Sequence, residues 1–194
     1  MLPNILSSLN LSSPSSESTM SPVQNRIRQN FHYECEQALN KQVNMELYAS
    51  YAYLTMYSYF IKHDKALHGF AKMFLKSSQE EKEHALLLID YLAKRGGTAL
   101  MEDVKKPEIE FVTAMDAVEV ALKLEKDVNE SLLGILALSA EKADGHLSDF
   151  LEENFLGEQV DSIKAFGDLL TRMDIAGDGL GLLYIDKELQ KKYA

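Results

Sequence analysis

Residues Phe74–Gly97 read FLKSSQEEKEHALLLIDYLAKRGG. Together with Phe70, the apolar residues Phe74, Ala85, Leu88 and Leu92 fall on one stripe of an α-helix predicted from about Lys65 to Arg95. Gly96 and Gly97 end it, because glycine readily takes the left-handed conformation that closes a helix C-terminus. Two members of the stripe are not apolar. Glu81 stands seven after Phe74 and four before Ala85, and His84, three further on, shares its face.

The same periodicity extends in both directions. Upstream, a helix is predicted from about Val23 to Lys62, striped by Phe31, Ala38, Met45, Ala49, Tyr53 and Met56. Downstream, Gly96 to Phe111 contains Pro107 and little periodicity, which is long for a connection inside a compact bundle. A helix of about thirty residues is roughly 45 Å long. An extended chain at roughly 3.3 Å per residue covers that distance in such a stretch, so the next helix is expected parallel to the second. That third helix is predicted from about Thr113 to Lys142, with Val118, Ala121, Leu122, Val128, Leu132 and Ile135 inward. Ala143-Asp144-Gly145 reads as a turn, with Asp144 as a cap. The fourth helix is predicted from about His146 to Met173, bent or loosened near Gly157, and a short fifth runs from Asp178-Gly179-Leu180 to about Lys191. The fold class is therefore all-α: a four-helix bundle of two hairpins joined by one long crossover, plus a short C-terminal helix.

The chain has 194 residues, enough for one sizeable core, and its 46% hydrophobic and 26% charged residues are those of a globular domain. Thirty acids against twenty bases give a net charge of −10, the opposite of what a nucleic-acid binder carries. Cys35 is the lone cysteine, which points to a reducing compartment, and a cytoplasmic location is expected. No apolar run reaches the roughly eighteen residues of a membrane span. The first twenty-one residues hold eight serines, no Lys, no Arg and one acid, Glu17, and so match neither a secretory nor a mitochondrial leader. Residues 1–22 are expected to be a disordered extension, and 23–194 the folded domain.

The stripes carry polar residues where a core should be. Glu46 lies three before Ala49, Glu81 and His84 face inward from the second helix, Glu125 falls between Leu122 and Val128, and Gln159 lies between Phe155 and Ile163. Burying unpaired carboxylates costs several kcal/mol each, and no Lys or Arg accompanies them on the stripes. A bound cation offsets that cost. Oxygen donors with one imidazole and no thiolate suit a hard or borderline metal such as iron. Singly, each of these residues is also what a stripe-edge glutamate or a hydrogen-bonded core histidine gives; their agreement across four helices is the signal.

The strings NMELYASY (44–51), EEKEHA (80–85), RGG (95–97), KKP (105–107), LEKDVN (124–129) and EQV (158–160) resemble the signatures of eukaryotic ferritins, in order and spacing from about Asn25 to Lys187. The resemblance is to heavy-type, ferroxidase-active chains. It implies two iron ions per subunit: Glu46 and His84 on one, Glu81 bridging, Glu125 on the second, Tyr53 hydrogen-bonded behind them and Gln159 completing the outer side. Val128 stands where a symmetric site would carry a second histidine, which implies weaker binding of the second iron. The implied activity is oxidation of Fe(II) by dioxygen, with ferric oxide stored inside a twenty-four-subunit (24-mer) cage of this chain, alone or with other ferritin subunits. Neither nucleic acid nor membrane is implied as a partner.

The resemblance further implies that Glu80 and Glu83 pass iron inward. It places Asp149 and Glu152 in three-fold channels, and Leu180, Tyr184 and Glu188 around a four-fold axis. Leu86 and Lys76 depart from the pattern on the inner surface, Ser148 stands where a cysteine is common, and Glu188 where a histidine is common. Three rival readings fit less well: the intact ligand set argues against a light-type subunit without oxidase activity, the fifth helix and acidic charge against a DNA-protecting mini-ferritin, and the inward carboxylates against a metal-free helical interaction protein.

Overall fold

In the computed structural model, which describes residues 26–108 and 111–194, α1 spans Tyr33–Phe60 rather than starting at Val23. Asn30 has φ +49°, a left-handed residue that no α-helix continues through. His32 then caps the helix, its ring nitrogen accepting from the Glu34 amide. Residues 1–22 lie outside the described residues. α2 spans His68–Lys94, starting later than Lys65 because Ala66 is also left-handed. No residue local to its N-terminus supplies a side-chain cap. The cap comes from Asp186, whose carboxylate accepts from the Gly69 and Phe70 amides at 2.6 and 3.1 Å. Gly96, at φ +73°, ends α2 as expected.

α3 spans Ala114–Glu141 and opens on a complete capping box: the Thr113 hydroxyl accepts from the Asp116 amide, and the Asp116 carboxylate accepts from the Thr113 amide. Thr113→Ala is expected to lower stability by about 1 kcal/mol in denaturant unfolding, with no change at the core. The turn into the fourth column is built on Ala143, at φ +54°, with Asp144 capping the Leu147 amide. That column comprises α4 (Gly145–Leu151), a π-helical turn (Glu152–Leu156) and α5 (Gly157–Ala176). The loosening expected at Gly157 thus falls in the turn before it. The last helix, α6, spans Leu180–Lys192.

Cross-contacts set the directions. Along α1, Asn40 binds Thr98 and Leu100, Asn44 binds Asp103, and Tyr59 binds Val112, so the crossover climbs the length of α1. Gln42 meets Ser131 and Tyr53 meets Glu125, so α3 runs antiparallel to α1. Ser50 and Ser78 exchange hydroxyl-to-carbonyl bonds of 2.6 and 2.8 Å between α1 and α2, which also run antiparallel, as the Tyr53–Phe74 stack farther along shows. α2 and α3 are therefore parallel, the crossover topology expected from the length of the 96–111 connection. α6 folds back on the start of α2. At the other end, Arg95 grips Asp144 with two bonds of 3.0 and 2.9 Å while its guanidinium lies over Phe31.

The core divides into two apolar clusters. One gathers Ala49–Phe60 of α1, Phe70 and Phe74 of α2, Ala117–Leu124 of α3 and Phe166 of α5. The other gathers Leu39 and Val43, Ala85–Leu92, Val128–Ile135, and Leu147–Phe155. On all four columns the break between clusters falls at one level, and the residues in the break are Glu46, Glu81 with His84, Glu125, and Gln159.

Candidate metal centre in the bundle core

Glu46, Glu81, Glu125 and Gln159 are all buried, and His84 is nearly so. Each stands on a turn whose neighbours are apolar core, so backbone periodicity alone turns its side chain inward. Glu46, Glu81 and His84 bring one donor atom each within 4.8 Å of one another. His84 Nδ1 lies 3.1 Å from Glu81 Oε2, and its Nε2 lies 3.2 Å from Glu158 Oε2. A neutral imidazole has one N–H and can donate to only one of them.

Beside this triad, Glu125 has both oxygens engaged. The Tyr53 hydroxyl donates to Oε1, and Gln159 Nε2 donates to Oε2 at 3.0 Å and to the Glu125 carbonyl at 3.1 Å. Tyr53 is held in place between Phe74 and Phe166, stacked at 6.0 and 6.4 Å. Burial and the Glu125 charge raise its phenol well above the ordinary value, so it stays a donor.

The electrostatics are those of too many acids in too little water. Burial, then the neighbouring Glu81 charge, pushes Glu46 well up. Burial, then Glu125, lifts Glu81 from 4.5 to about 8. Burial raises Glu125 despite the bonds from Tyr53 and Gln159. Among the described residues no Lys or Arg pairs with any of the three. Glu46 Oε1 accepts from Gln42 at 2.8 Å, but Glu46 Oε2 is a buried side-chain oxygen with no hydrogen-bond partner among the described residues. A buried orphan oxygen among carboxylates and an imidazole, with no thiolate, fits a divalent metal of the iron type.

The remaining predicted residues lie elsewhere. Glu80, half-buried, pairs with Lys76 at 3.1 Å, and Glu83 is exposed on the same helix. Asp149 and Glu152 are exposed on α4 and at the start of the π turn. On α6, Leu180 and Tyr184 are exposed, and Glu188 is ion-paired to Arg172 of α5. Two participants escaped the sequence reading. Glu158 is exposed and adjacent to Gln159, with no periodic signal. Gln42 lies four before Glu46, so a stripe drawn through Leu39, Val43 and Glu46 finds it.

Fold and donors together define the class: a four-helix bundle with carboxylates and an imidazole gathered at one level of its core. A family model described as "Ferritin-like domain" matches residues 36–176. The chain is 47% identical over 163 residues to "Ferritin heavy chain" of Echinococcus granulosus, covering 84% of this chain and 94% of that one. It is 49% identical over 164 residues to "Soma ferritin" of Lymnaea stagnalis, at 84% and 94% coverage. To "Ferritin, middle subunit" of Salmo salar it is 45% identical over 169 residues, at 85% and 96%. The chain belongs to the ferritin family, the iron-storage proteins whose subunits assemble into cages. Among the described residues, no helix is long and apolar enough to cross a membrane.

Proposed function

We propose that this chain is a catalytic, heavy-type ferritin subunit that oxidises Fe(II) with dioxygen and stores the ferric product in a twenty-four-subunit shell. The observation that carries the reading is the partnerless, buried Glu46 Oε2 within reach of Glu81 and His84. Among the described residues no partner is placed on it, and a metal held with Glu81 and His84 would satisfy it. Iron is substrate and cargo here. Glu46 and His84 hold one Fe(II), Glu81 bridges, and Glu125 takes the second. Tyr53 and Gln159 orient Glu125, and because both its oxygens already accept bonds, the second iron binds more weakly than the first. The buried Val128 beside it adds no donor.

Two Fe(II) ions give up one electron each, and dioxygen with two protons leaves as hydrogen peroxide. Fe(III) then moves off toward the interior, past Glu80 and Glu83. Asp149 and Glu152 line the three-fold channels that draw Fe(II) in, since clustered acids concentrate cations. Leu180, Tyr184 and Glu188 surround the four-fold axis. The chain works in the cytoplasm, with copies of itself or with other ferritin subunits, and residues 1–22 are assigned on sequence to a serine-rich extension of the domain.

The test is aerobic Fe(II) oxidation by the apoprotein beside the double variant Glu81→Ala, His84→Ala, with assembly followed by size-exclusion chromatography. The parent oxidises Fe(II) well above the buffer rate, and the variant assembles but loses that advantage by at least about 100-fold, the scale of removing metal ligands and their shell. A parent no faster than buffer, or a variant equal to the parent, rejects the oxidase and leaves a light-type shell subunit.

A further inference from the structure

Gln42 is completely buried on α1, yet it is neither a donor in the candidate triad nor part of an apolar contact layer. Its Nε2 donates to Glu46 Oε1 at 2.8 Å, one turn along the helix. Its Oε1 accepts from the hydroxyl of Ser131, on α3. The NH2 group faces Glu46 and the carbonyl faces Ser131, whose hydroxyl donates, the orientation that suits the ionised, acceptor-only Glu46 a metal would bind. With Oε1 thus engaged, Oε2 is the oxygen left over, and it is the one without a partner.

We infer that the Ser131–Gln42 pair is a positioning relay for the metal centre, holding Glu46 by one oxygen so that the other is presented to Fe(II). This rests on the proposed metal-binding reading. A buried carboxylate free to rotate about its last bond would spread its two oxygens over several directions. A second hydrogen-bonded neighbour, itself anchored to another helix, removes that freedom before the metal arrives. Partners of this kind set ligand orientation, and their loss weakens metal binding by about 10- to 100-fold. The relay also spans α1 and α3, so the donor from α1 is registered against the helix that carries Glu125.

Anaerobic Co(II) titration of the apoprotein tests this, read by calorimetry and by the Co(II) d–d absorption bands, which report ligand geometry. Gln42→Leu keeps the volume and removes the hydrogen bonds. It is expected to bind Co(II) about 10- to 100-fold more weakly, with altered band positions and intensities. Ser131→Ala frees the amide and gives a smaller loss, between parent and Gln42→Leu. Gln42→Leu combined with Ser131→Ala removes the stranded hydroxyl; its melting temperature returns toward the parent while Co(II) affinity stays low. Parent-like affinity and spectrum in Gln42→Leu overturn the relay and leave the metal centre standing. If neither Gln42 variant assembles, Ser131→Ala decides alone, and a parental spectrum there overturns it. A parent whose Co(II) binding is untouched by Glu81→Ala, His84→Ala removes the reading on which the relay rests.

Discussion

Glu81→Gln should make the metal-free protein more stable near pH 8, by on the order of 4 kcal/mol per subunit. The sign follows from proton counting. In the unfolded chain a glutamate ionises near 4.5, whereas in the folded core Glu81 does so at about 8. Between those values the folded state holds a proton that the unfolded state has lost, so stability falls as pH rises. The contribution is intact below about pH 4.5 and gone above about pH 8, and the raised Glu46 and Glu125 steepen the decline. A glutamine cannot ionise, so the variant loses the Glu81 share of the slope and falls less steeply than the parent, with Glu46 and Glu125 keeping the remainder. Guanidinium unfolding in chelator, at a series of pH values, measures both curves; parallel curves would dismiss the prediction. A divalent metal reverses the parent's trend, because it replaces the protons the acids would otherwise keep. Calorimetry of metal binding at pH 7 in buffers of different ionisation enthalpy should therefore register proton release.

The second large effect concerns the junction of α2 and α6. Gly69→Ala should destabilise the subunit by about 3–5 kcal/mol and release α6 to proteolysis. A Cβ at Gly69 would sit 1.9 Å from the Asp186 carbonyl oxygen, which is backbone and cannot swing aside. Relief requires α6 to move away, and Asp186 leaves with it, stripping the Gly69 and Phe70 amides of their acceptor. Overpacking and loss of a cap then add. Asp186→Asn keeps an acceptor but not the charge, and about 1–2 kcal/mol is expected from that change. Denaturant unfolding separates the two variants, and limited proteolysis reads the C-terminal helix. Gly69→Ala with parental unfolding and an uncut α6 would show that the close approach is not required.

That same junction explains what was hidden in the sequence. Periodicity puts the start of α2 three residues before His68 because its cap is supplied from 117 positions away by Asp186. Local rules find Thr113 and Asp144, whose caps are local, and cannot find this one. The start of α1 was misplaced for a different reason: Asn30 turns left-handed while Phe31 remains buried, so the apolar period continues past the end of the helix. Where a residue's role depends on facing inward, periodicity sufficed, and Glu46, Glu81, His84, Glu125 and Gln159 were all legible from their apolar neighbours. Gln42 was missed because a stripe drawn at strict seven-residue steps, Phe31, Ala38 and Met45, drifts off the true face, which runs through Cys35, Leu39, Val43 and Glu46. Which donors meet which is a matter of three-dimensional level, and the break between two apolar clusters became visible only once the helices were packed.

The π turn at Glu152–Leu156 gives the fourth column an angular vernier. Successive α-helical residues are turned by about 100°, so an unbroken helix locks every side chain into one phase relation with the rest. A turn that accommodates one extra residue resets that phase with little change in length. The exposed acids Asp149, before it, and Glu152, at its first residue, and the inward Gln159 beyond it are thereby uncoupled in direction, though they share one rod. Straightening these five residues into an α-helix without removing one would swing Gln159 away from Glu125 by about 100°, whereas deleting a single residue would restore the α-helix and leave Gln159 facing inward. The fourth column thus carries one residue more than a plain helix of its length, and its inward face continues on both sides of the turn.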